Sequence, residues 1–305
     1  MKVLIYGMGA IGSVFAARLS KIHKVIGICR GEHYRVVKNK GLKLIGETQG
    51  TYKIDVKESV EELEDTRFDL VIVTTKVYDL RKALRTISEF ISFQHVLAIQ
   101  NGLNMVEILK EEIQNADALV GVTYNAATLE KPGIVRHVST GKTYIKSLVK
   151  VKFEEELASI LTNVGLPTET PQDIFRIIWE KAIVNCVINP LTAILCEKNK
   201  VIADLWEELL PVIDSVVGEI IEASQIVGVT LPEKEYLLKK IKDISIFTGE
   251  NTSSMLQDLK RGKRTEIEAL NCYIANILER KGRSKTANGM LCYIIKALEK
   301  KSIQS

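Results

Sequence analysis

Three polar residues stand four apart in an otherwise apolar stretch: Lys181, Asn185 and Asn189, within WEKAIVNCVINPLTAI from Trp179 to Ile194. The stretch contains no glycine and is long enough for several helical turns. Four helical residues advance about 400°, so the ladder drifts only about 40° per step and runs about 12 Å along the axis. One ammonium and two carboxamides therefore share a helical face. Such a set can give up a proton or hold an anion, with amides that bond oxygen-rich groups without adding charge. An ammonium buried without partners is costly, so a polar group is expected opposite it. Pro190 follows at once. Inside a helix it removes the bond to the Cys186 carbonyl and kinks the rod. A helix edge facing water would give the same pattern, and the rest of the chain has to decide between the two.

A second constellation opens the chain. Residues 2–6, KVLIY, are followed by Gly7-Met8-Gly9-Ala10-Ile11-Gly12 and a helical run from Ser13 to Ile22. This is GxGxxG between a strand and a helix. Gly7 permits the tight turn, Gly9 lets backbone amides approach a pyrophosphate, and Gly12 lets helix and strand pack closely. With Ala10 and Ile11 in the same turn, the helix N-terminus offers unpaired N–H groups to phosphates. A second strand, Val25 to Cys29, ends at Arg30, where dinucleotide folds accommodate the 2′-phosphate of NADP. Glu32 is the competing reading, as an acid for the ribose of NAD. Two later strands, Leu70 to Thr74 and His95 to Ile99, end in Lys76 and Asn101. In open parallel sheets ligands bind outside such carboxyl ends, so both residues fall where a cofactor would lie.

These residues need an α/β scaffold first and a helical one after it. GLKLIGETQGTYKIDV alternates and reads as an antiparallel excursion, and strand-like runs with turns from Ala118 to Ile145 read as hairpins extending the sheet. A helix from Phe153 to Val164 and a short run from Leu166 to Thr170 close the first domain, with Pro167 and Pro171 at the boundary. Beyond Pro171 strand signals vanish, and periodic segments fall at about 172–196, 202–227, 233–247, 253–261, 265–281 and 285–300. The expectation is a Rossmann-like α/β domain over 1–170 and an all-α domain over 171–305.

Composition narrows the function classes. Of 305 residues, 46% are hydrophobic and 26% charged, ordinary for a globular chain. A net charge of +4, dispersed, argues against nucleic acid and suits a small anionic ligand. The five cysteines show no CxxC pair and no ligand spacing with the four histidines, so no metal site is expected. Their odd number and apolar settings read as reduced core residues of a cytoplasmic protein. The N-terminal lysine and apolar run superficially match a secretory signal, but three spaced glycines interrupt it. No uninterrupted apolar run approaches the ~20 residues that span a bilayer.

The whole pattern resembles the ketopantoate reductase (2-dehydropantoate 2-reductase) family. The likeness lies in GMGAIG, in TTK ending at Lys76, in QNG around Asn101 and in WEKAIVNCVINPLTA. It extends to ENTSSMLQDLKRGKRTEIEALN from Glu250 to Asn271. The family's proline-containing segment is replaced by Gly282-Arg283-Ser284-Lys285-Thr286-Ala287-Asn288. The resemblance implies NADPH-dependent reduction of ketopantoate to pantoate in pantothenate and coenzyme A synthesis. It implies Lys181 as proton donor and Glu266 as an orienting carboxylate, with substrate contacts from Asn185, Asn189, Asn251 and Ser254. It also implies that Arg30 and Lys76 take the adenosine phosphate and Asn101 the nicotinamide region. A homodimer is a further expectation, with no membrane and no nucleic acid as partner. The rivals are a related 2- or 3-hydroxy acid dehydrogenase and a non-catalytic NADP sensor. A sensor would need none of Lys181, Asn185, Asn189 or Glu266.

Overall fold

A computed structural model describes residues 1–149 and 153–304. It divides into two compact units, one of Met1–Gln100 with Met105–Ile174 and the other of Asn101–Asn104 with Phe175–Ser305.

The first unit begins with the buried strand β1 (Lys2–Tyr6), then α1 (Ala10–Leu19), β2 (Lys24–Ile28) and α2 (Gly31–Lys40). The excursion that follows contains β3 (Leu42–Gly46), β4 (Gly50–Tyr52) and β5 (Asp55–Lys57). Next come β6 (Arg67–Val73), α3 (Val77–Phe90), β7 (Ser92–Ala98), α4 (Met105–Glu112) and β8 (Asp117–Thr123). The unit closes with β9 (Ala126–Lys131), β10 (Ile134–Ser139), β11 (Thr143–Ser147), α5 (Phe153–Asn163) and β12 (Thr168–Glu169).

Eight strands form one sheet in the order β12-β11-β8-β7-β6-β1-β2-β5, parallel except where β11 runs against β8. From β1 the chain moves outward to β2 on one side and returns to β6 on the other. The strand order therefore reverses between β1 and β6, and ligand crevices in open α/β sheets form at such a reversal. Continuous apolar burial along β1 and β6 fits strands covered on both faces.

Two expectations need correction here. Helix α1 starts at Ala10 rather than Ser13, inside the glycine motif itself. The predicted hairpins do not all extend the main sheet. β9 and β10 pair antiparallel with each other and join β3 and β4 in a separate four-stranded sheet, β4-β3-β10-β9. Alternation shows that a strand has one buried face, but not which sheet it completes. A buried polar chain links the two sheets. His137 on β10 is hydrogen-bonded to Thr48 Oγ1 (2.7 Å) and Asn125 Oδ1 (3.2 Å), and the Asn125 amide donates to Thr123 Oγ1 (2.9 Å) beside Thr143. Burial pulls the His137 pKa below its ordinary value, consistent with a neutral ring in that chain.

The second unit is helical: α6 (Ile174–Leu195), α7 (Val201–Asp204), α8 (Trp206–Ile226), α9 (Lys234–Phe247), α10 (Ser254–Lys260), α11 (Asn271–Glu279) and α12 (Ala287–Gln304). The periodic segment 202–227 is broken at Leu205 into α7 and α8. Segment 265–281 starts as a 3-10 turn, Ile267–Ala269, and turns at Leu270 before α11. Among the described residues α6 is the one helix long and apolar enough to cross a membrane, yet 72% of its most apolar window is buried within the fold. It is a core helix.

The cysteines are not all reduced, contrary to expectation. Cys272 on α11 and Cys292 on α12 form a disulfide, while Cys29, Cys186 and Cys196 are free. Twenty residues separate the bonded pair, and only the antiparallel folding of two helices brings them together.

Candidate active site

The glycine motif divides its work in a way the sequence pattern alone does not show. Gly7 has φ of +100°, and a Cβ there would lie 2.8 Å from Thr75 Cγ2. At Gly12 a Cβ would fall 2.4 Å from Thr74 Oγ1 and 2.5 Å from the Gly7 carbonyl. Those atoms are themselves joined, because Thr74 Oγ1 donates to Gly7 O at 2.7 Å. Gly7 and Gly12 thus let β1, α1 and the end of β6 close on one another. Gly9 is exposed, and a Cβ there meets nothing nearer than Gly7 O at 4.0 Å. It also occupies the N-cap of α1 with no side chain to satisfy the first amides. Open space above uncapped helix amides fits a pyrophosphate. Ala10 and Ile11 form the first turn of that helix, half-buried.

Arg30 is exposed and holds the N-cap of α2 in an extended conformation. Its guanidinium also lies against the Tyr6 hydroxyl, opposing the rise in Tyr6 pKa that burial causes. Sequence reasoning missed Glu58. Its Oε1 accepts from the Gly31 amide at 3.0 Å, so a carboxylate caps the helix that Arg30 opens. Glu61 also interacts electrostatically with Arg30. Both acids sit just past β5, and nothing in their spacing from Arg30 advertises the contact. Glu32 is exposed in the first turn of α2. Lys76 is half-buried at the N-cap of α3, directly after β6, and Thr75 beside it has a buried hydroxyl with no hydrogen-bond partner among the described residues.

In the helical unit the expected ladder is real. Lys181, Asn185 and Asn189 lie on α6, the first two half-buried and Asn189 8% exposed. Lys181 Nζ donates to Asn101 Oδ1 at 2.8 Å. Burial pushes the lysine pKa down to about 8, and the Glu266 carboxylate acts in the opposite direction. The polar partners expected opposite the ammonium are therefore Asn101 and Glu266. Glu266 is buried, immediately before the 3-10 turn rather than at the start of a helix. The Ala269 carbonyl in that turn accepts from the Leu103 amide at 2.9 Å, which pins the loop carrying Asn101.

Asn251 is half-buried, and its backbone bonds Asn199 and Thr248. Ser254 is exposed in the first turn of α10. Its neighbour Ser253 is the buried one. Ser253 Oγ accepts from the Leu256 amide as the cap of α10 and from Thr192 Oγ1 of α6 at 2.8 Å. In ENTSS either serine could cap, and the choice is a one-residue matter of helix phase.

A lysine whose pKa is lowered by burial, bonded to an amide and attracted by a carboxylate, on a helix that carries two further amides, can protonate an oxyanion formed from a polar substrate.

Two family models match the chain: ketopantoate reductase PanE/ApbA over residues 3–150 and its C-terminal counterpart over residues 173–299. A 2-dehydropantoate 2-reductase of Pyrococcus horikoshii is 34% identical over 304 residues, covering 98% of each chain. Among solved structures, a PanE/ApbA family ketopantoate reductase from Ralstonia eutropha JMP134 superposes with a TM-score of 0.88 at 28% identity, over 99% of each chain. A D-mandelate dehydrogenase bound to NADH and anilino(oxo)acetate superposes at 0.91 with 25% identity, again over 99% of each.

Proposed function

The chain belongs to the ketopantoate reductase family, and on that premise we propose that it reduces 2-dehydropantoate to pantoate with NADPH as hydride donor and Lys181 as proton source. The observation that carries this reading is the Lys181 ammonium, bonded to Asn101, opposed by Glu266, and poised at about 8. When bound, the reduced nicotinamide supplies a hydride to the ketone carbon. The protein's part is to meet the charge that develops on the oxygen. Lys181 stabilises that oxyanion and then protonates it. Glu266 keeps the lysine cationic against burial, and Asn101 fixes its direction.

Asn185, Asn189, Asn251 and Ser254 bind the hydroxyl and carboxylate of the substrate. Gly9, Ala10 and Ile11 receive the pyrophosphate, between the close contacts made by Gly7 and Gly12. Arg30 and Lys76 take the adenosine 2′-phosphate. The 1–170 part thus binds the cofactor and the 171–305 part the substrate, in the cytoplasm, where this coenzyme-linked step on a small keto acid belongs. Oxidation of NADPH and NADH by purified protein, with ketopantoate beside phenylglyoxylate and other 2-keto acids, tests the assignment. Preference for an aromatic keto acid and NADH would replace it with the activity named for the mandelate enzyme.

Asn185 and Asn251 give a sharper test of the substrate half. Replacing either with alanine is expected to raise KM for ketopantoate about tenfold, the size of one lost hydrogen bond of about 1.4 kcal/mol, with cofactor affinity and Tm nearly unchanged. A large fall in Tm would show that these amides serve the fold instead.

A further inference from the structure

Pro190 lies inside α6 and has no amide hydrogen. The carbonyl of Cys186, four residues earlier, consequently has no helical donor. A freed carbonyl in a buried helix is a weak point, where the rod can bend or admit water. Here the gap is filled from elsewhere in the chain. Asn271 Nδ2 donates to Cys186 O at 2.9 Å. Asn271 is fully buried and opens α11.

The same amide group donates to Asn288 Oδ1 at 3.0 Å. Asn288, also fully buried, passes the chain on, its Nδ2 donating to Glu219 Oε2 at 2.8 Å and to Val216 O at 3.2 Å. Glu219 is 4% exposed and accepts from the backbone amides of Ala287 and Asn288, at 2.8 and 2.9 Å. A buried carboxylate on α8 therefore anchors a line of amides that ends on one carbonyl of α6. That carbonyl belongs to the residue after Asn185. The line also starts from a short segment with two other duties. Glu266 stands five residues before Asn271, and Ala269 holds the loop that presents Asn101 to Lys181.

We infer that Asn271 is a positioning residue, which replaces the helix bond lost at Pro190 and so locks the Lys181–Asn189 face against the segment carrying Glu266. Nothing in this role touches substrate. It acts through the direction of α6, and loss of it lets the Asn185–Asn189 part of the ladder move while the helix still folds.

The inference rests on the reductase reading, and its test uses Pro190. Asn271→Ala is expected to raise KM for ketopantoate about tenfold, equivalent to about 1.4 kcal/mol, with a smaller fall in kcat and NADPH affinity within about twofold. Pro190→Ala returns a backbone donor to the Cys186 carbonyl. The double variant Pro190→Ala/Asn271→Ala is therefore expected to recover most of the KM and part of the Tm lost in Asn271→Ala. Asn288→Ala breaks the same cluster on its far side, leaves the Cys186 bond intact, and should gain nothing from Pro190→Ala.

A double variant no better than Asn271→Ala overturns the proposal, as does an Asn271→Ala protein with lowered Tm but unchanged KM. Wild-type turnover in the same assay keeps the two readings apart. If it is absent the reductase assignment fails, and the coupling of positions 190 and 271 in Tm alone then decides whether Asn271 replaces the lost helix bond.

Discussion

Replacing Lys181 with alanine is expected to lower kcat for ketopantoate reduction by about 10²–10⁴-fold, the usual contribution of a positioned proton donor, with NADPH binding intact. Arginine should restore little, because a guanidinium stays protonated and its planar fork does not reproduce the point-like bond to Asn101. The rival role for Lys181 is to hold the substrate carboxylate as a point charge. Kinetics separate the two. A lost anchor acts mainly on KM, whereas a contact made only in the transition state lowers kcat and kcat/KM together. The pH profile adds a second discriminant. Burial lowers the lysine pKa from 10.5 to about 8, so the protonated form needed for reduction is lost as pH rises through about 8. Wild-type kcat should fall across that range and the alanine variant should not. Near-normal kcat for Lys181→Ala at saturating ketopantoate would remove the catalytic assignment.

The second large effect concerns the cofactor. Arg30→Ala should weaken NADPH on the order of 10- to 100-fold and NADH little, because a charge-assisted bond to phosphate is available only to the former. Glu58→Gln should act in the opposite direction. Its carboxylate caps α2 at the Gly31 amide, beside Arg30, and a negative charge there works against a second one on the ribose. The glutamine variant should therefore favour NADPH over NADH more than the wild type does. Equal losses for both cofactors in Arg30→Ala would remove the 2′-phosphate assignment and transfer the adenosine end to Glu32 or Glu58. Direct binding titrations of each cofactor measure these ratios without turnover.

Much of the architecture is legible in the chain, because periodicity and glycine placement are local. The strand before Gly7, the α/β order that follows and the helical character beyond Pro171 all rest on short-range patterns. The lysine ladder is legible for the same reason, being one helix read at a four-residue step. What is not legible is where distant segments meet. Asn101 lies 80 residues from the ammonium it holds, and its place at the end of a strand suggests a cofactor rather than a lysine. The separate sheet of β3, β4, β9 and β10 depends on a parallel pairing of β3 with β10 that joins residues 43–46 to residues 134–137, about half the domain apart. The disulfide fails the usual spacing test for the same cause. Ser253 and Ser254 show a finer limit: composition finds the capping segment, and only the start of α10 decides which hydroxyl turns inward.

The bond between Cys272 and Cys292 also bears on the connection that joins α11 to α12, residues 280–286. Here the two helices themselves are tied covalently, from the first turn of α11 to the second turn of α12, closing a loop with a sequence separation of 20. In the chain-entropy picture such a closure removes disordered conformations worth about 3 kcal/mol. The far end is then held by Glu219, which accepts the first amides of α12. With both ends secured, the residues between them are released from any duty to bend the chain. Gly282 can take its positive φ of +86° while the two helices it joins keep their register.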